Sequence, residues 1–446
     1  MARRTTAILA TAALVLSGTY VALDIADVVP GVLTTGPDVS YPEPFPTIDG
    51  TPQFPGVSAA SDPLPTTSVT SAVDAFMEDE RMGGATAVTV IDAATGDVLE
   101  RRNATAAVPP ASSTKILTAA AALSQIDPTS RIATTAMLNG DRVTLVGGGD
   151  ILLTTGTPEP GNIVQASLTD LAARTARGLE DAGITEVSIA VDDSLFEERG
   201  YASTWGEYDY RHVMPISSLA VNGGLIERNL YQEDPAINAA EIFAAELESY
   251  GVVISGDPVR ARAPEGSSTL AAVRSATIEE IVRYMMKASD NSVSEVLGFL
   301  TASAMGLPTT FEGSLHAVEE AIGELGIDTS MLVLHDVCGL SNENEITSDV
   351  LAQTVYHSLS DPSLGSLVSS FPVAYLDGTL TGRGADSAGF VRAKTGTLSH
   401  VVSLTGIVQT DSGGLLVFSA IAYETANNWE ARQGIDAFAS ALRAAE

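Results

Sequence analysis

Apolar and polar positions alternate with period two in "ATAVTVIDAATGDVLERRNA", Ala85 to Ala104, break at Ala94-Thr95-Gly96 and resume at Val98-Leu99. That is the pattern of a β-hairpin. After Pro109-Pro110 the chain turns apolar through Ile116, Leu117 and the alanines to Leu123, which predicts a buried helix. From about Arg131 to Pro264, short strands ("RVTLVGG", "EVSIAVD") mix with helices ("LTDLAARTARGLEDAG", "PAINAAEIFAAELESYG"), an inserted α/β region. Helices resume at "TIEEIVRYMMKASDNSVSEVLGFL". The chain ends in two strands, "GFVRAKTGTLSHVVSLTGIVQT" and "GLLVFSAIAYE", and a helix from Asn428 to Ala445. The expectation is an α/β (α+β) fold in which helices cover an antiparallel sheet whose first strands come from residues 85–104.

The N-terminus changes the picture. Arg3 and Arg4 precede an uncharged, largely apolar run from Thr5 to Leu23, so residues 1–28 read as a signal peptide or an uncleaved signal anchor, with a buried core helix as the bland alternative. Residues 29–67 hold nine prolines between Pro30 and Pro65, which forbid regular helix and favour an extended tether. The folded part then divides into a discontinuous body, 68–131 and 265–446, and an insertion, 132–264. The bulk of the chain is expected outside the cytoplasm, with membrane contact only through the N-terminal segment.

Charge narrows the function classes. A formal net charge of -33 argues against binding nucleic acid or an anionic membrane through a basic patch. One cysteine, Cys338, excludes an intrachain disulfide and cysteine-rich zinc sites, and five scattered histidines without HExxH give a zinc peptidase no support. Neither metal nor other cofactor is expected.

Only three of the 23 basic residues are lysines: Lys115, Lys287 and Lys394. A surface cation can be either residue type, but a group that must shed or shuttle a proton cannot be arginine. Ser112 and Lys115 are three apart at a helix start, on one face. The helix N-terminus and apolar surroundings both depress an amine's pKa, and a neutral amine beside a hydroxyl is a nucleophile with its base. Lys287 precedes Ser289-Asp290-Asn291, and Lys394 opens Lys394-Thr395-Gly396-Thr397. Each motif is weak alone. Together and in this order, S-x-x-K, S-x-N and K-T-G form the set shared by class A β-lactamases and penicillin-binding proteins.

From about Ser71 to Ala439 the chain resembles the class C low-molecular-mass penicillin-binding proteins, D-alanyl-D-alanine carboxypeptidases with endopeptidase activity. Beyond the trio, the resemblance rests on "LVGGGD", "VDDSLF", "PISSLAVNGG", "DGTLTGR" and "VRAKTGTLS". In that family two inserted domains fill the long gap between the first and second motifs. The resemblance implies peptidoglycan stem peptides as substrates and β-lactams as covalent inhibitors. Ser112 would attack the penultimate D-alanine carbonyl after losing its proton to Lys115. Ser289, with Lys394, would pass a proton to the leaving D-alanine, while Asn291 holds the substrate's peptide carbonyl and fixes Lys115. The amides of Ser112 and Thr397 would form the oxyanion hole, and Thr395 and Thr397, with Lys394, would take the terminal carboxylate. Gly396 would let substrate lie against its strand.

"DVCGLSNENEIT" departs from that family's usual block: Val337 and Cys338 replace G-S, and Asn342 stands where the family tends to carry an arginine that grips the stem peptide's diamino acid. Arg383 and Arg392 are substitutes by sequence. Cys338 reads as a packed small residue and His400 as a surface histidine. Asp192 or Asp193, with Phe196, is a candidate to reach the substrate from the insertion; Trp205 and Tyr208 read as core or rim. A β-lactamase or esterase on the same fold is one alternative, though no E-x-x-L-N stands between the second and third motifs. A non-catalytic cell-wall module is another, opposed by the intact trio.

Overall fold

The computed structural model describes residues 66–156, 163 and 165–445. The expected signal or anchor, and all of the proline-rich tether except Thr66 and Thr67, lie outside the described residues. Those two threonines open the first helix, Thr66–Met77.

The hairpin strands Ala85–Asp92 and Val98–Arg102 join Val391–Leu398, Val401–Gln409 and Leu415–Tyr423 in one antiparallel sheet. In the sheet Leu415–Tyr423 lies between Val401–Gln409 and Ala85–Asp92, and Val391–Leu398 forms one edge. Alternate residues of the central strand face opposite layers, and both faces are covered, so it is apolar apart from Ser419 and the terminal Tyr423. Leu416, Phe418, Ala420 and Ala422 face the outer layer, the first helix and the terminal helix Asn428–Arg443, whose Phe76 and Phe438 rings meet at 4.7 Å. Val417 and Ile421 face the inner layer, whose centre is the helix Lys115–Gln125. That helix is buried from Lys115 through Leu123. The expected α/β architecture, an antiparallel sheet covered by helices, is the one the chain adopts.

The insertion builds its own mixed sheet and core. Glu186–Asp192 runs parallel to Arg142–Val146, which pairs antiparallel with Arg131–Asn139. The helices Leu168–Asp181 and Pro235–Ser249, capped by Ser167 and Asp234, pack on this sheet. One strand was not anticipated. Ser268–Thr277 pairs antiparallel with Arg131–Asn139, so the second sheet runs past residue 264, where the insertion is expected to end. Among the described residues no helix is long and apolar enough to cross a membrane.

Candidate active site

Ser112 sits in a single 3₁₀ turn, Ala111–Thr114, between the proline pair and the Lys115 helix. The sheet grips this turn. Ser403 Oγ donates to the Pro110 carbonyl at 2.6 Å and lies 2.7 Å from Ser113 Oγ. Two glycines let backbone approach it. A Cβ on Gly339, at φ 82°, would run into the Ala111 carbonyl; one on Gly396 would run into the Pro110 carbonyl and the Ser403 hydroxyl. The missing side chain of Gly396 thus lets the strand close on the Ser112 turn.

Lys115 is completely buried, yet its Nζ has three oxygen partners: Ser112 Oγ at 3.1 Å, Asn291 Oδ1 at 2.6 Å and the Cys338 carbonyl at 2.6 Å. Burial pushes its pKa below the ordinary lysine range, against the pull of nearby Asp336, Asp290 and Glu295. Lys394 is also fully buried and donates to Ser289 Oγ at 2.9 Å and to the Thr395 carbonyl at 2.7 Å. Burial, and then repulsion from Lys115, push its pKa well below the usual value. Both shifts favour the neutral amine over the ammonium, and the neutral form is the one that can take a proton.

The second motif is a junction between two helices. Ile278–Ala288 ends at Ser289 in the left-handed conformation, φ 58° and ψ 39°. Asp290 then caps Asn291–Ala304, its Oδ1 accepting from the Val293 amide at 2.9 Å. A side chain from the C-cap thus meets Lys394, and one from the next helix's first turn meets Lys115. Asn291 Nδ2 also donates to the His212 carbonyl at 2.9 Å, which ties the insertion to the site. The structure therefore brings Ser112, Lys115 and Asn291 together, and joins Ser289 to Lys394.

The substrate candidates on the edge strand are next to these. Thr395 is buried with its hydroxyl 2.7 Å from that of Thr379. Thr397 Oγ1 donates to the Gly396 carbonyl at 2.7 Å and accepts from Arg432 Nη2 at 3.1 Å. The remaining lysine does not join the cluster: Lys287 pairs with Asp377 and donates to the Phe371 carbonyl, both at 2.6 Å.

Other expectations divide. Asp193 is buried and paired with Arg199 and Arg260, and Asp192 accepts from the Ser194 and Ala263 amides, so both carboxylates are committed within the insertion. Phe196 is buried against Phe299, with ring centroids 4.8 Å apart, and does not reach toward a substrate. Trp205 is core and donates to Asp336 at 2.8 Å, whereas Tyr208 is 70% exposed. His400 is exposed, with Nδ1 2.9 Å from the Thr425 carbonyl. Asn342 is exposed, and Arg383, one substitute for it, is bound to Asp436. Cys338 is buried as a packed residue, its thiol pKa pushed up by burial. Its backbone carbonyl, which no side-chain pattern could announce, holds Lys115. Thr379 and Arg432 were likewise missed; the first lies inside "DGTLTGR", and nothing in the sequence marks the second.

Comparison with known proteins identifies the family. The profile of the D-Ala-D-Ala carboxypeptidase 3 (S13) family matches residues 69–234 and 228–442. Carboxypeptidase Rv3627c of Mycobacterium tuberculosis is 33% identical, over 87% of this chain and 87% of its own length. The D-alanyl-D-alanine carboxypeptidase of an Actinomadura species is 30% identical, over 77% of this chain and 79% of that one. In fold, the chain is similar to penicillin binding protein 4 of Haemophilus influenzae, with a TM-score of 0.68, 19% identity, and coverage of 84% of this chain and 98% of the other. With the profile spanning nearly all of the described chain and relatives matched along most of their own length, the protein belongs to the D-Ala-D-Ala carboxypeptidase 3 (S13) family and is a serine-type carboxypeptidase, a hydrolase that acts on the cell wall.

Proposed function

We propose that the protein removes the terminal D-alanine from peptidoglycan stem peptides through an acyl-enzyme on Ser112. The observation that carries this is a buried lysine, Lys115, 3.1 Å from the Ser112 hydroxyl and held by two further oxygens. As a neutral amine, Lys115 takes the Ser112 proton while Oγ adds to the penultimate D-alanine carbonyl. Charge develops on that carbonyl oxygen, where the Ser112 and Thr397 amides would donate; Thr397 is on the sheet's edge strand, which has backbone groups free of a second strand. As the peptide bond breaks, its nitrogen receives a proton through Ser289 and Lys394, and D-alanine leaves. The proton delivered is the one Lys115 took from Ser112, which leaves Lys115 neutral again. Water then adds to the ester, passes a proton to Lys115, and Lys115 returns it to Ser112 Oγ as the ester breaks.

A β-lactam would follow the first half of this path and remain as an ester on Ser112. The same reading puts the catalytic body outside the membrane, with residues 1–28 as signal or anchor and 29–67 as tether. The test is Ser112→Ala, which loses one hydroxyl from a turn held by other atoms. It should abolish both fluorescent-penicillin labelling and D-alanine release while keeping the wild-type melting temperature. Labelling that persists at another serine would overturn the assignment.

A further inference from the structure

The terminal helix Asn428–Arg443 carries Arg432 toward the edge strand, where its Nη2 donates to Thr397 Oγ1 at 3.1 Å. That is the one side-chain hydrogen bond of Arg432 among the described residues. Its Nε is buried without a partner, and no carboxylate pairs with it. The acid one helical turn on, Asp436, is already claimed by Arg383 through bonds of 2.9 and 3.2 Å. Two guanidiniums thus lie beside the K-T-G-T strand with one carboxylate near them, and it pairs with Arg383 alone.

This is odd in a chain with 56 acidic residues against 23 basic ones. An arginine here has abundant chances to find an acid, and half-burying an unclaimed guanidinium costs hydration that no partner returns. Burial, followed by repulsion from Arg383, lowers its pKa, which marks the same deficit of negative charge. A planar group with two acceptor oxygens would make good the deficit, because it matches the guanidinium fork.

We propose that Arg432 is the cationic anchor for the substrate's C-terminal carboxylate, acting with Thr397; this assignment rests on the active-site reading above. Thr397 follows Gly396 on the strand that closes on the Ser112 turn, so a carboxylate held there belongs to the residue that leaves. The hydroxyls of Thr395 and Thr397 contribute direction, and Arg432 contributes charge.

The test compares kcat/KM for a peptide ending in D-Ala-D-Ala with that for its C-terminal amide, in wild type, Arg432→Gln and Arg432→Lys. Fluorescent-penicillin labelling of Ser112 is followed separately. In Arg432→Gln the preference for the free carboxylate should fall about 10-fold or more, mainly through KM, the size of a lost charge-assisted hydrogen bond. Arg432→Lys should be intermediate, because an ammonium keeps the charge and loses the fork. An unchanged preference in the glutamine variant overturns the anchor while Ser112 labelling leaves the active-site reading standing. Absence of labelling at Ser112 in the wild type removes the reading itself. Should Arg432→Gln fail to fold, the lysine variant decides: a preference equal to wild type overturns the proposal, and an intermediate one supports it.

Discussion

Beneath Lys115, Glu295 is completely buried, with Oε1 accepting from the Val337 amide at 3.0 Å and Oε2 without a partner. Burial, and then the charge of Asp336, push its pKa up to about 8 from an ordinary 4.5. Between those values the folded protein keeps a proton that the unfolded chain has lost, so stability falls as pH rises through that window. Glutamine cannot ionise and retains an acceptor for Val337. Glu295→Gln should therefore flatten the decline in unfolding free energy between pH 5 and pH 8, by at least about 1 kcal/mol. Urea denaturation of both proteins at the two pH values checks this; parallel declines would mean that Glu295 is already ionised in the native state. The residue scale is also where the sequence was most legible. Ser112, Lys115, Ser289, Asn291 and Lys394 were readable as candidates because a nucleophile, a depressed amine and its partners need particular side chains at particular spacings, and the fold joins them by hydrogen bonds. Glu295 and Arg432 escaped because their chemistry comes from burial and from missing partners, and the Cys338 carbonyl because every residue has one.

Two residues join the helices Ile278–Ala288 and Asn291–Ala304, Ser289 as left-handed cap and Asp290 as N-cap. A serine at positive φ costs about 1–2 kcal/mol, so the following cap has to hold the junction. Asp290→Ala should destabilise the protein by about 1 kcal/mol, the usual value of an N-cap, and should slow acylation because it frees the turn that carries Asn291. Asp290→Asn keeps the cap and removes a buried carboxyl whose pKa burial pushes up, so it should remain near wild type. Urea midpoints and penicillin acylation rates separate the two variants; equal loss in both would show that the charge, not the cap, holds the junction. Legibility at this scale follows how many faces an element buries. Leu415–Tyr423 and Lys115–Gln125 were readable because each is buried almost throughout and written in apolar residues. Ser268–Thr277 was not, because its ten residues, STLAAVRSAT, are mostly small or polar and only four of them are buried. Its place is fixed by pairing with Arg131–Asn139, far away in the sequence.

Taken as a whole, the molecule carries far more negative charge than its ion pairs absorb. The formal net charge is -33. Most pairs with arginine lie at the surface, as with Arg101–Asp349 and Arg174–Asp170, where each contributes between about 0 and 1 kcal/mol. Adding salt acts on two populations of interactions. Paired groups lie within 4 Å and are still partly coupled when the Debye length has fallen to about 3 Å at 1 M. The repulsion among unpaired carboxylates acts over tens of ångströms, and it is strong only while the Debye length is about 30 Å, near 0.01 M. Screening therefore removes more repulsion than attraction. The melting temperature should rise with sodium chloride, with most of the rise complete by about 0.2 M, where the Debye length is already below about 8 Å. A stabilisation caused by exclusion of salt from the surface would instead keep growing with concentration. Calorimetric melts from 0.01 to 1 M distinguish the two shapes. A melting temperature that falls over the first 0.2 M would mean that the surface pairs are a cooperative network worth more than their separate values, and the balance argued here would be reversed.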